Sequence, residues 1–119
     1  MITEFGLYTR ALRKASGEKL KDMAAKLNIT IAFLSMLEVG RKTIPNNYLD
    51  LIANLYILDK KEKNKLADAI ALSNRRVVLE LDLMNEAQKD ISLMFARKIK
   101  TADSNLLLQL REALKDEEN

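Results

Sequence analysis

Cysteine, histidine and tryptophan are all absent from the 119 residues. Without thiolate or imidazole the usual zinc, copper, haem and iron–sulfur ligand sets cannot be assembled, and a Ser or Cys nucleophile has no His base. Neither a metal nor a cofactor is expected. The chemistry left to an enzyme is Ser with Lys or a carboxylate pair; no spacing in the chain suggests either, and no Gly-rich loop could cradle phosphate. The reading is therefore non-enzymatic. Three glycines and one proline supply too few turns for a many-stranded β fold and point to helices. No apolar run approaches the roughly 18 residues of a membrane span. The opening MITEFGLYTR lacks the basic region and apolar stretch of a signal peptide, so a cytoplasmic protein with no membrane contact is expected.

Apolar residues make up 48% of the chain, enough for a core, and the length is that of one domain. The net charge of +3 is unevenly spread. Residues 1–65 carry 12 Lys and Arg against 7 Asp and Glu; the rest carry 8 against 10 and end in Asp116, Glu117 and Glu118. The basic part is where a polyanion would bind, although such an excess is also ordinary on a solvated helical face.

Helical spacing recurs along the first 72 residues. Phe5, Tyr8, Leu12 and Ala15 follow Thr3, a good N-cap, and stop at Ser16 and Gly17. Leu20, Met23, Ala24 and Leu27 form the stripe of a second, short helix ending at Asn28. Thr30 can cap a third helix that runs to Val39, with Gly40 in the left-handed position. Pro45 leads into a fourth with Tyr48, Leu51, Ile52, Leu55 and Tyr56 inward. Asp59 and Glu62 read as the capping box of a fifth, Lys60 to Leu72, with Leu66 and Ile70 inward.

The period then changes. Val77, Leu79, Leu81 and Leu83 alternate with Val78, Glu80 and Asp82, the two-residue repeat of a strand. A lone strand has unpaired edges, so this one is expected to pair with its copy in a second subunit; the alternative is an extended connection packed on its own helices. Asn85 with Gln88 opens a sixth helix lined by Ile91, Met94, Phe95 and Ile99. Asp103 caps a seventh, whose stripe of Leu106, Leu107, Leu110 and Leu114 reads as core. The expected division is 1–73 and 74–119. The second part is too short and too helical for a self-cleaving peptidase domain.

The segment LKDMAAKLNITIAFLSMLEV, Leu20 to Val39, meets the demands of two helices crossing through a tight turn. Met23, Leu27, Ile29, Leu34 and Leu37 supply apolar contacts, Ala24 is the small residue at the crossing, and Asn28 takes the turn position that favours positive φ. With FGLYTRALRKASG before it and FLSMLEVGRKTIP overlapping its end, the order and spacing resemble the Cro and phage-repressor regulators, the XRE type, from about Phe5 to Leu72. The later LxLxL and FARKI stretches also resemble a smaller group of bacterial regulators with a short helical C-terminal extension.

That resemblance implies an all-α protein: a five-helix, lambda-repressor-like domain followed by a short strand and two helices. It implies a pair between Arg13 and Glu38 that fixes the helix packing. It also implies double-stranded DNA as partner, with the third helix in the major groove. Matched by position, Ile31, Ala32, Ser35 and Met36 face bases with Phe33 beside them, while Lys19, Lys21, Thr30, Arg41 and Lys42 reach phosphates. The departure is chemical: related reading helices commonly carry Gln, Asn, Arg or Ser, whereas Ile31 to Val39 offers only Ser35 and Glu38 as polar residues. Either Ile31, Ala32 and Phe33 meet thymine methyl groups and DNA shape supplies discrimination, or part of this helix is buried or serves a protein. The expected function is a homodimeric transcriptional regulator, a repressor acting by operator occupancy, with Val77, Leu79, Leu81 and Leu83 at the dimer contact. The alternative is an antitoxin or adaptor whose C-terminal helices grip a protein partner, such as a toxin or antirepressor, while the same motif regulates its own promoter.

Overall fold

A computed structural model describes residues 1–115; the acidic run at 116–118 lies outside them. Seven α-helices are present among the described residues: α1 (Glu4–Ser16), α2 (Leu20–Leu27), α3 (Ile31–Glu38), α4 (Tyr48–Leu55), α5 (Lys60–Asn74), α6 (Glu86–Lys98) and α7 (Ser104–Leu114), with a 3₁₀ turn at Ile99–Thr101. The chain divides into two units, Met1–Val77 and a second that begins at Val78. No helix among the described residues is long and apolar enough to cross a membrane.

Side-chain caps set most helix starts. Thr3 accepts from the Gly6 N–H, Thr30 from Phe33, Asp59 from Glu62 and Asp103 from Leu106, each satisfying one donor that a helix N-terminus leaves open. Asn85 and Gln88 form a complete capping box. The box at α5 is only half made, because the Glu62 carboxylate accepts instead from the Tyr8 hydroxyl at 2.9 Å. Left-handed residues end the helices: Gly17, Asn28 and Arg75 stand at φ 67°, 57° and 57°, and Gly40 at 81°.

The core of the first unit joins Phe5 of α1, Met23, Ala24 and Leu27 of α2, Leu34 and Leu37 of α3, Ile44, Tyr48 and Ile52 around α4, and Leu66 of α5. α1 packs on both α3 and α5. Two side chains fasten the end of α5 to that core. Ser73 Oγ accepts from the Phe5 N–H at 2.9 Å, while Asn74 accepts from the Ile44 N–H at 3.0 Å and donates to its carbonyl at 3.1 Å. The first unit therefore extends past the boundary expected at residue 73.

The strand expected over Val77–Leu83 does not form. A ladder needs a neighbouring strand, and the described residues supply none; a turn closes at its far end, with the Met84 N–H donating to the Leu81 carbonyl at 3.0 Å. Val77, Val78, Leu79 and Leu83 are exposed. The leucine stripe of α7 is not core either: Leu106, Leu107 and Leu114 are exposed, and neither α6 nor α7 buries a single residue.

Candidate nucleic-acid interface

α2 and α3 are joined by three residues, Asn28, Ile29 and Thr30. The left-handed Asn28 returns the chain on itself, so that its own N–H and that of Ile29 reach the carbonyls of Ala25 and Ala24 at 3.1 and 3.0 Å. This is a hydrogen-bonded C-cap of the Schellman type. The Thr30 cap then starts α3 at once. Asn tolerates positive φ better than any side chain but glycine's hydrogen, which is why the turn forms without glycine.

α3 is anchored from behind. Leu34 and Leu37 are fully buried and Glu38 nearly so. The Glu38 carboxylate accepts from Arg13 through Nη1 at 2.5 Å and Nη2 at 3.2 Å, and from the Thr9 hydroxyl at 2.7 Å. The Glu38 carbonyl accepts from both the N–H and the hydroxyl of Thr3. One residue thus ties α3 to α1 through side chain and backbone. The Arg13 and Glu38 pair that the resemblance implies is formed; Thr9 joins it at the carboxylate and Thr3 at the Glu38 carbonyl.

The opposite face of α3 is open. Ile31, 50% exposed, Ala32 and Ser35 face solvent, and Met36 is half-buried beside them. The helix is therefore apolar without being buried all round. Phe33 departs from the expected set, since it packs against the core.

Lys19, Lys21, Arg41 and Lys42 are all exposed, and none has a carboxylate within 4.0 Å among the described residues. Lys19 is the N-cap of α2, a position where Ser, Asp or Asn is preferred and where its charge adds to the positive helix end. Asp22 offsets this in part by accepting the Lys19 N–H at 2.7 Å. Lys26, also on α2, is committed elsewhere: it pairs with Glu18 and lies over the Tyr56 ring, 4.8 Å from its centre. Lys26 and the Tyr56 hydroxyl hold the Glu18 carboxyl below its ordinary range, while burial and Glu18 push the Tyr56 phenol up. That cluster braces α2 against the end of α4.

Arg41 and Lys42 follow Gly40, and the Arg41 N–H closes α3 by donating to the Met36 carbonyl at 2.9 Å. Both line an open hollow of about 710 Å³ shared with Arg75 at the end of α5. No local spacing marks Arg75; only the folding of α5 back past the N-terminus brings it to this rim. No group of acidic side chains able to hold a metal occurs among the described residues. Compared with protein-family models, curated proteins and solved structures, the chain shows no significant match to any of them.

Proposed function

We propose that the protein is a DNA-binding transcriptional regulator of the Cro and phage-repressor type, acting as a homodimer that represses by occupying its operator in the cytoplasm. The observation that carries this reading is the exposed, largely apolar face of α3, together with four exposed cations, in α2 and its N-cap and just after α3, that have no acidic partner among the described residues. A helix so placed fits the major groove, and flanking cations and helix N-termini hold phosphates. Lys19 at the N-cap of α2 makes sense in these terms, because a phosphate offsets a charge that the helix end disfavours. Thr30 keeps its hydroxyl proton for a phosphate oxygen while its oxygen caps α3.

Base reading rests on Ile31 and Ala32 against thymine methyl groups and on Ser35 as the one hydrogen-bonding side chain. With so few direct contacts, sequence-dependent groove shape carries much of the discrimination. The exposed apolar faces of α6 and α7 favour a protein contact in addition to DNA. In this reading a second copy fills that role, and an antitoxin-type partner is the competing occupant.

Mapping bound sites on genomic DNA, followed by titration at several salt concentrations, tests the proposal. Each phosphate neutralised contributes about 0.9 to the slope of log K against log salt. Arg41→Ala and Lys21→Ala should each flatten that slope by about one and weaken all sequences alike. Absence of salt-dependent DNA binding, or unchanged slopes in these variants, overturns the assignment.

A further inference from the structure

We propose that two copies of this chain join through an antiparallel ladder of Val77–Leu81 with its two-fold axis at Leu79. This inference rests on the homodimer reading above and adds its register. The free stretch is bracketed on both sides. The N–H groups of Arg75 and Arg76 are consumed at the end of α5, donating to the carbonyls of Leu72 and Ala71. The turn from Leu81 to Met84 occupies the other end. Between them the N–H groups of Val77 to Leu83 have no partner among the described residues; Asp82 and Leu83 lie inside the turn, so the extended stretch open to pairing is Val77 to Leu81, with Leu79 in its middle.

An axis at Leu79 sets Val77 opposite the partner's Leu81 and Leu79 opposite itself, so that one face of the ribbon is apolar from both strands. On the other face Val78 lies across from the partner's Glu80. Just beyond the ladder, Arg76 meets the partner's Asp82, twice by symmetry. Opposite charges facing across strands favour pairing and like charges oppose it.

The neighbouring registers fail on the same terms. An axis at Glu80 sets two carboxylates face to face and draws Leu83 into the ladder, against the turn that holds it. An axis at Val78 places Leu81 against Arg75, whose left-handed backbone ends α5. An axis between residues mixes the apolar row with the charged one, since a one-residue slip moves every side chain to the other face. In-register parallel pairing stacks Glu80 on Glu80 and Asp82 on Asp82.

Val77, Val78 and Leu79 of this stretch are exposed, apolar surface that a second copy would cover. A second copy is favoured over an unrelated protein because the Arg76 and Asp82 spacing is complementary to itself about Leu79, the middle of the extended stretch between α5 and the turn.

The chain has no cysteine, so single Cys variants of the full chain report the register directly. Opposed residues in an antiparallel pair have Cα atoms about 4.5–5.5 Å apart, within disulfide reach; diagonal neighbours at about 7–8 Å fall outside it. Leu79→Cys should cross-link under mild oxidation at least about tenfold faster than Val78→Cys or Glu80→Cys. In sedimentation, Arg76→Glu should weaken the dimer about tenfold through its two rim pairs, and Arg76→Glu with Asp82→Arg should restore it. A dimer in which Glu80→Cys links fastest overturns the register but leaves the dimer. A dimer in which none of the three links, and in which Arg76→Glu has no effect, overturns the strand pairing. A full chain that stays monomeric at micromolar concentration, including one that dimerises only with a different protein, overturns the dimer reading itself.

Discussion

Glu38 and Gly6 meet where α1 crosses α3, and the crossing depends on both. The Glu38 carboxylate is satisfied by Arg13 and Thr9 with almost no access to water, so its role is to fix one arrangement of the two helices; the net stabilisation from such a buried pair is often small. Gly6 sits in the first turn of α1, its N–H held by the Thr3 cap, and glycine in a helix costs up to about 1 kcal/mol relative to alanine. The reason is contact: a Cβ at this position would stand 2.4 Å from the Glu38 carbonyl oxygen and 2.6 Å from Ile2 Cγ1. Gly6→Ala should therefore destabilise despite its better helix propensity. Overpacking of about 1–3 kcal/mol exceeds the propensity gain, and the melting temperature should fall, since about 1 kcal/mol is worth about 4–8 °C in a domain of this size. Calorimetry on the single variant checks it; an equal or higher melting temperature would show that α1 can shift freely.

Between α4 and α5 the backbone carries a conformation its residue does not favour. Ile57 stands at φ 51°, in the left-handed region that costs an L-residue about 1–2 kcal/mol and is a marked outlier for a β-branched side chain. The side chain is 90% exposed, so packing returns little. What the conformation achieves is the reversal after α4: the Leu58 N–H reaches the Ala53 carbonyl at 2.9 Å, and Leu58 is laid against the core. Ile57→Gly should keep that turn and raise stability by about 1 kcal/mol, read as a higher denaturant midpoint with unchanged slope. A lower midpoint would mean that the isoleucine side chain makes a contact that offsets the strain. The turns at Asn28 and Arg75 use the same conformation at lower cost, Asn being tolerant of it and Arg75 being held by two backbone hydrogen bonds.

At the scale of the molecule the two units differ in kind. The first has a closed core of its own; in the second, α6 and α7 bury no residue, although an apolar groove lined by Ile91, Met94, Phe95, Ile99, Leu106 and Leu110 runs along them. A chain ending after Val77 should fold as a monomer that melts at the same temperature at every protein concentration, whereas the full chain, if it forms the proposed dimer, should melt higher as concentration rises. A chain ending after Ser73 loses the Asn74 side chain that satisfies both backbone groups of the buried Ile44. Unmade bonds to buried groups cost about 1–3 kcal/mol each, so this shorter form should melt well below the first, by about 10 °C or more. Equal melting temperatures for the two truncations would remove Asn74 from the account. Under the proposed function, the longer truncation should also bind DNA more weakly than the full chain, because linked half-sites raise each other's effective concentration.

Where the pattern is local, the sequence determined it. Five of the seven helices among the described residues start at side-chain caps written in the chain, Thr3, Thr30, Asp59, Asn85 and Asp103, and the Asn28 turn is as local, because a cap or a 3.6-residue stripe involves neighbours within one or two turns; the Arg13 and Glu38 pair, 25 residues apart, is implied only by the family resemblance. Tertiary structure decided what depends on distant parts of the chain. It turned Phe33 to the core and left Ile31, Ala32 and Ser35 open, required glycine at position 6 through a carbonyl 32 residues away, brought Arg75 to the hollow that Arg41 lines, and carried the first unit past residue 73. The alternation at Val77–Leu83 shows the limit most plainly. Period two is a property of the chain, but a strand is a property of a pair, and its hydrogen bonds exist only where a second backbone lies alongside.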